Sequence, residues 1–352
     1  FVVYFRKSRK KAPEPVVAVV SEDFEAQEKQ VAKKLDKELP EFLEELSIIA
    51  QSIQVYSFEE LQAATDNFSP GCWIKGSVYR GMINGDFAAI KKINGDVSKE
   101  ISMLNKVSHL NVIRLSGVCF EEGYWYLVYE YAVNGTLKDW IYQDGLYGKA
   151  LSWKQRVQIG LDVATGLNYL HSFISPPCIH QNIKSSNILL DSDFRGKIAN
   201  LALARLADGF DGEFALTRHI VGTKGYMAPE YLENGLVSTK LDVYAFGILL
   251  LEMITGKEVL SLYEEDTTSL PDMIQNLLSE DGMEGLRQFI DPSLEGNYPM
   301  ELAVLLLRLI SDCLNKNQAD RPAMDEVVQS LARIFTISLA WESTNTISEY
   351  QN

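Results

Sequence analysis

The sequence predicts an α+β chain of two lobes, a small β-rich N-lobe followed by a larger α-helical C-lobe. Two observations predict it. From about Trp73 to Tyr131, short β-branched and aromatic runs (Val78-Tyr79-Arg80, Ala88-Ala89-Ile90-Lys91 and Tyr126-Leu127-Val128-Tyr129) surround one helical stretch, Ser98 to Val107. From about Ala132 to Phe335 the pattern is mostly helical. There Arg156 to His171 and Leu241 to Thr255 are long, apolar and free of proline, as buried helices are. A chain of 352 residues has room for one large or two modest domains, and no internal repeat divides it.

Charge narrows the function classes. The 33 basic and 48 acidic side chains leave a formal charge of -15. A general nucleic-acid binder would show a basic face instead, so no nucleic-acid partner is expected. The four cysteines, Cys72, Cys119, Cys178 and Cys313, form no C-x-x-C pair. Scattered thiols of this kind fit a reducing compartment better than a disulfide framework.

The first residue is Phe1, not Met, so the chain is expected to be a fragment. Residues 1–11 join an apolar run, Phe1 to Phe5, to a basic run, Arg6 to Lys11. Five apolar residues cannot span a bilayer, which needs about twenty. They read either as the end of a transmembrane segment with its basic cytoplasmic anchor, or as a disordered basic terminus. Residues 12–54 read as a juxtamembrane linker. It holds an amphipathic stripe at Val31, Leu35, Leu39, Phe42, Leu46 and Ile49, with Pro40 placed to open a second helix. The stripe suits a helix docked on a partner, or one packed on its own domain or only partly ordered. Ser57, followed by Glu60, has the spacing of a capping box. The lobes are placed at 55–131 and 132–336, and a polar C-terminal tail at 337–352.

The stretch Cys178 to Leu206 carries the chemistry. It contains His180-Gln181-Asn182, then Lys184 and Asn187, an apolar run and a turn, then Lys197-Ile198-Ala199 leading into Asn200-Leu201-Ala202. It resembles the catalytic loop and magnesium loop of protein kinases, H-R-D-x-x-x-x-N followed by D-F-G. The resemblance implies a bilobal protein-kinase-like fold. It also exposes the departures: Gln181 stands for the loop Arg, Asn182 for its Asp, Asn200 for the D-F-G Asp, and Leu201 and Ala202 for Phe and Gly. A carboxylate at 182 would orient the proton of an attacking hydroxyl, and an amide has no useful basicity. Magnesium prefers anionic oxygens, which neither Asn200 nor the retained Asn187 supplies. No functional catalytic residue and no metal ligand is therefore expected.

The remaining family positions fall in order. For the phosphate-covering loop the candidate is Gly71 to Val78. With family spacing Trp73 takes the middle Gly position; with Ile74 on the first strand, the loop is shortened and Gly76 stands nearly alone. Either reading removes the usual backbone cradle. Ala88-Ala89-Ile90-Lys91 resembles the V-A-I-K strand, which makes Lys91 the phosphate lysine and Glu100 its partner. The resemblance places a vestigial nucleotide site at Gly76, Val78, Ala89, Lys91, Glu100, Tyr129 (gatekeeper), Glu130 (hinge), Asn187 and Leu189. Structural positions are His180, Leu201, Leu104 and Leu115 in an apolar spine, Glu230 of Ala228-Pro229-Glu230, Asp242 of the central helix, and Arg321 as the partner of Glu230. Thr223 and Lys184 match the serine/threonine branch.

The match covers roughly Val55 to Phe335. Two segments, Trp73 to Gly81 and Asn84 to Lys92, resemble the kinase-inactive branch of plant LysM-domain receptor-like kinases, co-receptors for chitin or lipochitooligosaccharide signals in plant immunity and symbiosis. What the resemblance implies is a pseudokinase intracellular domain at the cytoplasmic side of the plasma membrane. It would pair with an active receptor kinase of the same family and recruit downstream signalling proteins, with ATP and Mg binding weak or absent. The alternative is a weakly active Ser/Thr kinase with atypical metal or ATP use. As a substrate of its partner, the chain offers hydroxyls at Ser52, Ser57, Thr217, Ser338, Thr344 and Ser348.

Overall fold

Alternating side chains build the first layer. The computed structural model describes residues 53–142, 150–207, 215–217, 219–259, 270–279 and 283–349. The expected membrane segment, the amphipathic stripe, most of the linker and Ser52 lie outside the described residues. The N-lobe consists of β1 (Gln54–Val55), α1 (Phe58–Ala64), β2 (Trp73–Lys75), β3 (Val78–Ile83), β4 (Asp86–Asn94), α2 (Ser98–Lys106), β5 (Leu115–Glu121) and β6 (Tyr124–Glu130). The strands form one sheet in the order β1-β5-β6-β4-β3-β2, with β1 parallel to β5 and the other pairs antiparallel. Ile90, Val118, Leu127 and Val128 are buried in it.

The Ser57-Glu60 spacing forms a complete capping box: the Ser57 hydroxyl accepts from the Glu60 N–H at 3.2 Å, and the Glu60 carboxylate accepts from the Ser57 N–H at 2.7 Å. Such a cap is worth about 1 kcal/mol. It directs α1 onto β3 and β5, where Leu61 is fully buried and Phe58 and Phe68 pack against Tyr126. This helix is thus part of the N-lobe core.

The C-lobe is helical. Its elements are α3 (Leu137–Tyr142), α4 (Trp153–Asn168, continued by a wider turn over Tyr169–Phe173), α5 (Pro229–Asn234), α6 (Thr239–Thr255), α7 (Leu270–Leu277), α8 (Met283–Phe289), α9 (Met300–Cys313) and α10 (Met324–Glu349). Every residue of α6 from Leu241 to Thr255 is buried, which is why its apolar pattern shows no single face. Gly247 lets α9 approach: a Cβ there would stand 2.9 Å from that of Cys313. Two-stranded pairs carry the loops between the lobes: β8 (Ile188–Leu190) with β9 (Gly196–Ile198), β7 (Cys178–Ile179) with β10 (Arg205–Leu206), and β11 (Ala215–Leu216) with β12 (Leu236–Val237).

One expectation is corrected. Residues 337–349 are the continuation of α10, which packs along α4. Ser338 is 1% exposed and accepts from the Trp153 indole N–H at 2.9 Å. It is a buried packing residue and not a flexible acceptor for a kinase. The apolar α4–α10 interface is what holds this part of the chain in register, and polar composition alone hid it.

Candidate functional site

Asp242 on α6 fixes the catalytic loop. Its carboxylate accepts from the His180 N–H at 2.7 Å, from the Gln181 N–H at 2.8 Å and from the His171 ring at 2.9 Å. Three donors stabilise a carboxylate that is fully buried. Gln181 adopts a left-handed backbone, φ 62°, an unusual conformation for a residue with a Cβ. The His180 ring is fully buried. Its Nδ1 accepts from the Asn182 N–H and its Nε2 donates to the Ala199 carbonyl, both at 3.2 Å. That pattern requires the neutral Nε2–H tautomer, and burial, the largest influence, holds the ring's pKa below the usual histidine value.

The positions that would hold a metal are joined to one another. Asn187 donates from Nδ2 to the Asn182 carbonyl at 2.8 Å, and its Oδ1 accepts from the Asn200 amide at 3.3 Å. Asn200 has φ 67°, a left-handed conformation that Asn tolerates well. The pocket therefore offers two neutral amides, one oxygen of which is already engaged. A hard dication seeks anionic oxygens, so this donor set does not fit magnesium. Among the described residues, no group of three or more His, Cys, Asp or Glu side chains could hold a metal.

On the N-lobe side, Lys91 Nζ on β4 lies 3.5 Å from Glu100 Oε1 on α2. The same oxygen accepts from the Tyr129 hydroxyl at 2.9 Å. Burial and the Glu100 charge raise the Tyr129 pKa well above normal, so the phenol stays a donor. The two readings of the glycine stretch are now separated. Ile74 lies on β2, and Gly76-Ser77 alone joins β2 to β3, with Gly76 at φ 55°. The Trp73 indole donates to the Gly76 carbonyl at 2.9 Å and closes the turn on itself. Val78 begins β3 opposite Lys91, Ala89 faces Tyr129 across the β4–β6 ladder, and Leu189 bridges to Thr136. Glu130 is tied by the Arg114 N–H at 2.8 Å and by Lys197 at 3.2 Å.

The scaffold contacts are complete. Arg321 is fully buried and meets Glu230 through two bonds of 2.7 and 2.8 Å, with the Tyr244 ring beneath it. Leu104, Leu115, His180 and Leu201 are all buried, and α2 packs on the turn at Leu201–Leu203. Ala202 is exposed. Lys184 donates to the Thr223 hydroxyl at 2.9 Å, linking the catalytic loop to the segment before Ala228.

Some of these contacts were not foreseen. His171 as a third donor to Asp242, and the Trp73 bond across its own turn, leave no spacing signal in one sequence. Tyr226 bonds to the buried Glu252, whose pKa burial raises. Of the suggested acceptor hydroxyls, Ser57 is exposed but caps α1, Thr344 is exposed on α10, and Thr217 is half-buried with its hydroxyl accepting from the His219 N–H at 3.2 Å. The side chain of Ser348 lies outside the described residues.

Comparison with known proteins agrees with this geometry. Residues 74–331 match the family model "Protein kinase domain", and the chain belongs to that family. Its relatives include LysM receptor-like kinases. It is 48% identical over 304 residues to Protein LYK5 of Arabidopsis thaliana, covering 84% of this chain and 46% of that protein. It is 38% identical to LysM domain receptor-like kinase 3 of Medicago truncatula, covering 87% and 50%, and 38% identical to Chitin elicitor receptor kinase 1 of Arabidopsis thaliana, covering 84% and 48%. The chain spans about half the length of these relatives. Among the described residues, no helix is long and apolar enough to cross a membrane.

Proposed function

We propose that the chain is the pseudokinase domain of a plant receptor-like kinase, a signalling scaffold that transfers no phosphate. One observation carries the reading: amides occupy both carboxylate positions, Asn182 and Asn200, inside a frame whose packing contacts are intact. General-base catalysis is typically worth 10²- to 10⁴-fold. A metal-clamped phosphate is the other main source of rate in phosphoryl transfer. The two-residue turn Gly76-Ser77 is also too short to cradle phosphates with backbone N–H groups, so nucleotide binding is weak or absent.

The kinship with a chitin elicitor receptor kinase and with Protein LYK5 supports a finer statement. The domain acts at the cytoplasmic face of the plasma membrane as the co-receptor partner of an active receptor kinase in chitin-type oligosaccharide signalling. Exposed hydroxyls such as Ser57 and Thr344 suit it as a substrate of that partner. The Lys91–Glu100 pair favours a second reading, a weak kinase with atypical metal use. Crosslinking and pull-down of the full-length receptor from plant membranes, with and without chitin fragments, tests the first. An active LysM kinase recovered only with chitin is the expected result. Recovery of none under either condition contradicts it.

A further inference from the structure

Asparagine followed by glycine is a chemically labile pair, and the chain has four: Asn84-Gly85, Asn94-Gly95, Asn134-Gly135 and Asn234-Gly235. The glycine nitrogen, once it loses its proton to solvent, can attack the asparagine Cγ, because no Cβ crowds its approach. The new N–Cγ bond closes a succinimide ring, the Cγ–Nδ2 bond breaks, and the amide nitrogen leaves as ammonia. One solvent water then opens the ring. Opening at the side-chain carbonyl gives aspartate. Opening at the main-chain carbonyl gives isoaspartate, in which the backbone runs through Cγ. In a folded chain the glycine N–H must be free, and the peptide ahead of it must be able to turn toward the side chain.

The fold separates the four pairs by these conditions. Gly135 donates to the Ala132 carbonyl at 3.2 Å, and the Asn134 side-chain amide donates to the Asp191 carbonyl at 2.6 Å. Gly235 donates to the Tyr231 carbonyl at 2.9 Å and is buried against the Thr217 carbonyl, and Asn234 belongs to the last turn of α5. Asn84 and Gly85 are exposed, but they form the turn between the paired Ile83 and Asp86, which fixes the peptide from both sides. Of the four, only Asn94-Gly95 meets both conditions. Asn94 is exposed, stands opposite Tyr124 on the last rung of the β4–β6 ladder, and its side chain makes no hydrogen bond to another described residue. Gly95 is exposed and makes no backbone hydrogen bond among the described residues. It lies in open space: a Cβ there would meet nothing within 4 Å.

This pair sits in a short link between two residues of the site. The chain runs through it from Lys91 on β4 to Glu100 on α2, which meet at 3.5 Å. Directly after Gly95 the chain is pinned again: Asp96 accepts from the Ser98 N–H at 2.8 Å, and Val97 is buried. Isoaspartate would add one methylene to the main chain here, together with a negative charge. We infer that Asn94 is a site of spontaneous deamidation in the folded protein, and that its isoaspartyl form loosens α2 from the sheet. The reaction is independent of the catalytic state of the domain.

Peptide mapping by mass spectrometry tests it, with the chain aged at physiological temperature in mildly alkaline buffer beside a sample held unfolded in urea. In the folded chain, conversion at Asn94 is expected to run at least about tenfold faster than at Asn134 or Asn234, whose glycine amides must first be freed from a hydrogen bond. Asn84 is expected to fall between, and in urea the differences should shrink. An isoaspartate-specific methyltransferase scores the isoaspartyl product, and Asn94→Gln, which would have to close a larger ring, should lose that label. Hydrogen–deuterium exchange of the aged chain is then compared with Asn94→Gln aged alongside. Faster exchange of α2 is expected in the aged parent chain, whereas Asn94→Asp, which adds the charge without the methylene, should leave α2 unchanged. Conversion of Asn134 or Asn234 ahead of Asn94, or the same ratios of rates in the folded and unfolded chain, overturns the assignment of the site. Equal exchange of α2 in the aged parent and aged Asn94→Gln chains overturns its effect on the helix.

Discussion

An aspartate at position 182 would be nearly isosteric with the asparagine present and would differ by one unit of charge. The loop is held by Asp242, His180 and backbone N–H groups, none of which hydrogen-bonds to the 182 side chain, so the fold is expected to accept either residue. Chemistry and architecture therefore separate at this residue. Asn182→Asp alone should leave phosphotransfer undetectable, since Asn200 and the closed Gly76 turn still fail the metal and the phosphates. Radiolabel incorporation at ordinary kinase rates in that single variant would show that the metal site had been misjudged. His180 gives a second residue-scale expectation. Its folded pKa lies below its unfolded value of about 6.5, so the unfolded chain binds the proton more readily. Its contribution to stability is complete above that pH and is lost as pH falls toward the folded pKa. Urea midpoints should thus decline below about pH 6.5, and His180→Phe should flatten part of that decline. An identical pH profile in the variant would contradict the assignment.

Among elements, α10 decides which hydroxyls a kinase can reach. Ser338 bonds to Trp153 inside the α4–α10 interface, whereas Thr344, less than two turns further on, is exposed. Ser338→Glu should bury an unpaired carboxylate and lower stability by several kcal/mol. Thr344→Glu should change it by no more than about 0.5 kcal/mol. Thermal unfolding of the two variants checks this, and equal melting points would place the interface elsewhere. The same helix shows what a sequence reveals. The motif residues from Lys91 to Arg321 were legible because spacing carries them through any kinase-like frame. So were the long α4 and α6, whose apolar runs admit one reading. The end of α10 was not, because Ser338, Thr344 and their neighbours look like a polar tail, and only packing against Trp153 turns them into a helix face. The short turn at Gly76 was legible as two alternatives. The choice between them depended on the β2–β3 register and on the Trp73 indole, a contact three residues away that leaves no pattern.

Across the whole molecule, the scaffold is held by contacts that span it. The Glu230–Arg321 pair joins the first turn of α5 to the connection between α9 and α10, with the guanidinium fully buried. Arg321→Met should cost about 3–5 kcal/mol, because it strands the Glu230 carboxylate. The double change Glu230→Met with Arg321→Met should recover much of the loss. Denaturant titration measures both, and a double variant as unstable as the single would mean that the pair does more than neutralise itself. This bracing, with amides at both carboxylate positions, is what the proposed scaffold role requires. The most direct test is transfer of labelled phosphate from Mg-ATP by the purified chain, to itself or to a generic protein substrate, beside Lys91→Ala. No incorporation above background is predicted, and any trace that survives in Lys91→Ala belongs to a contaminating kinase. Incorporation that disappears with Lys91→Ala would contradict the account.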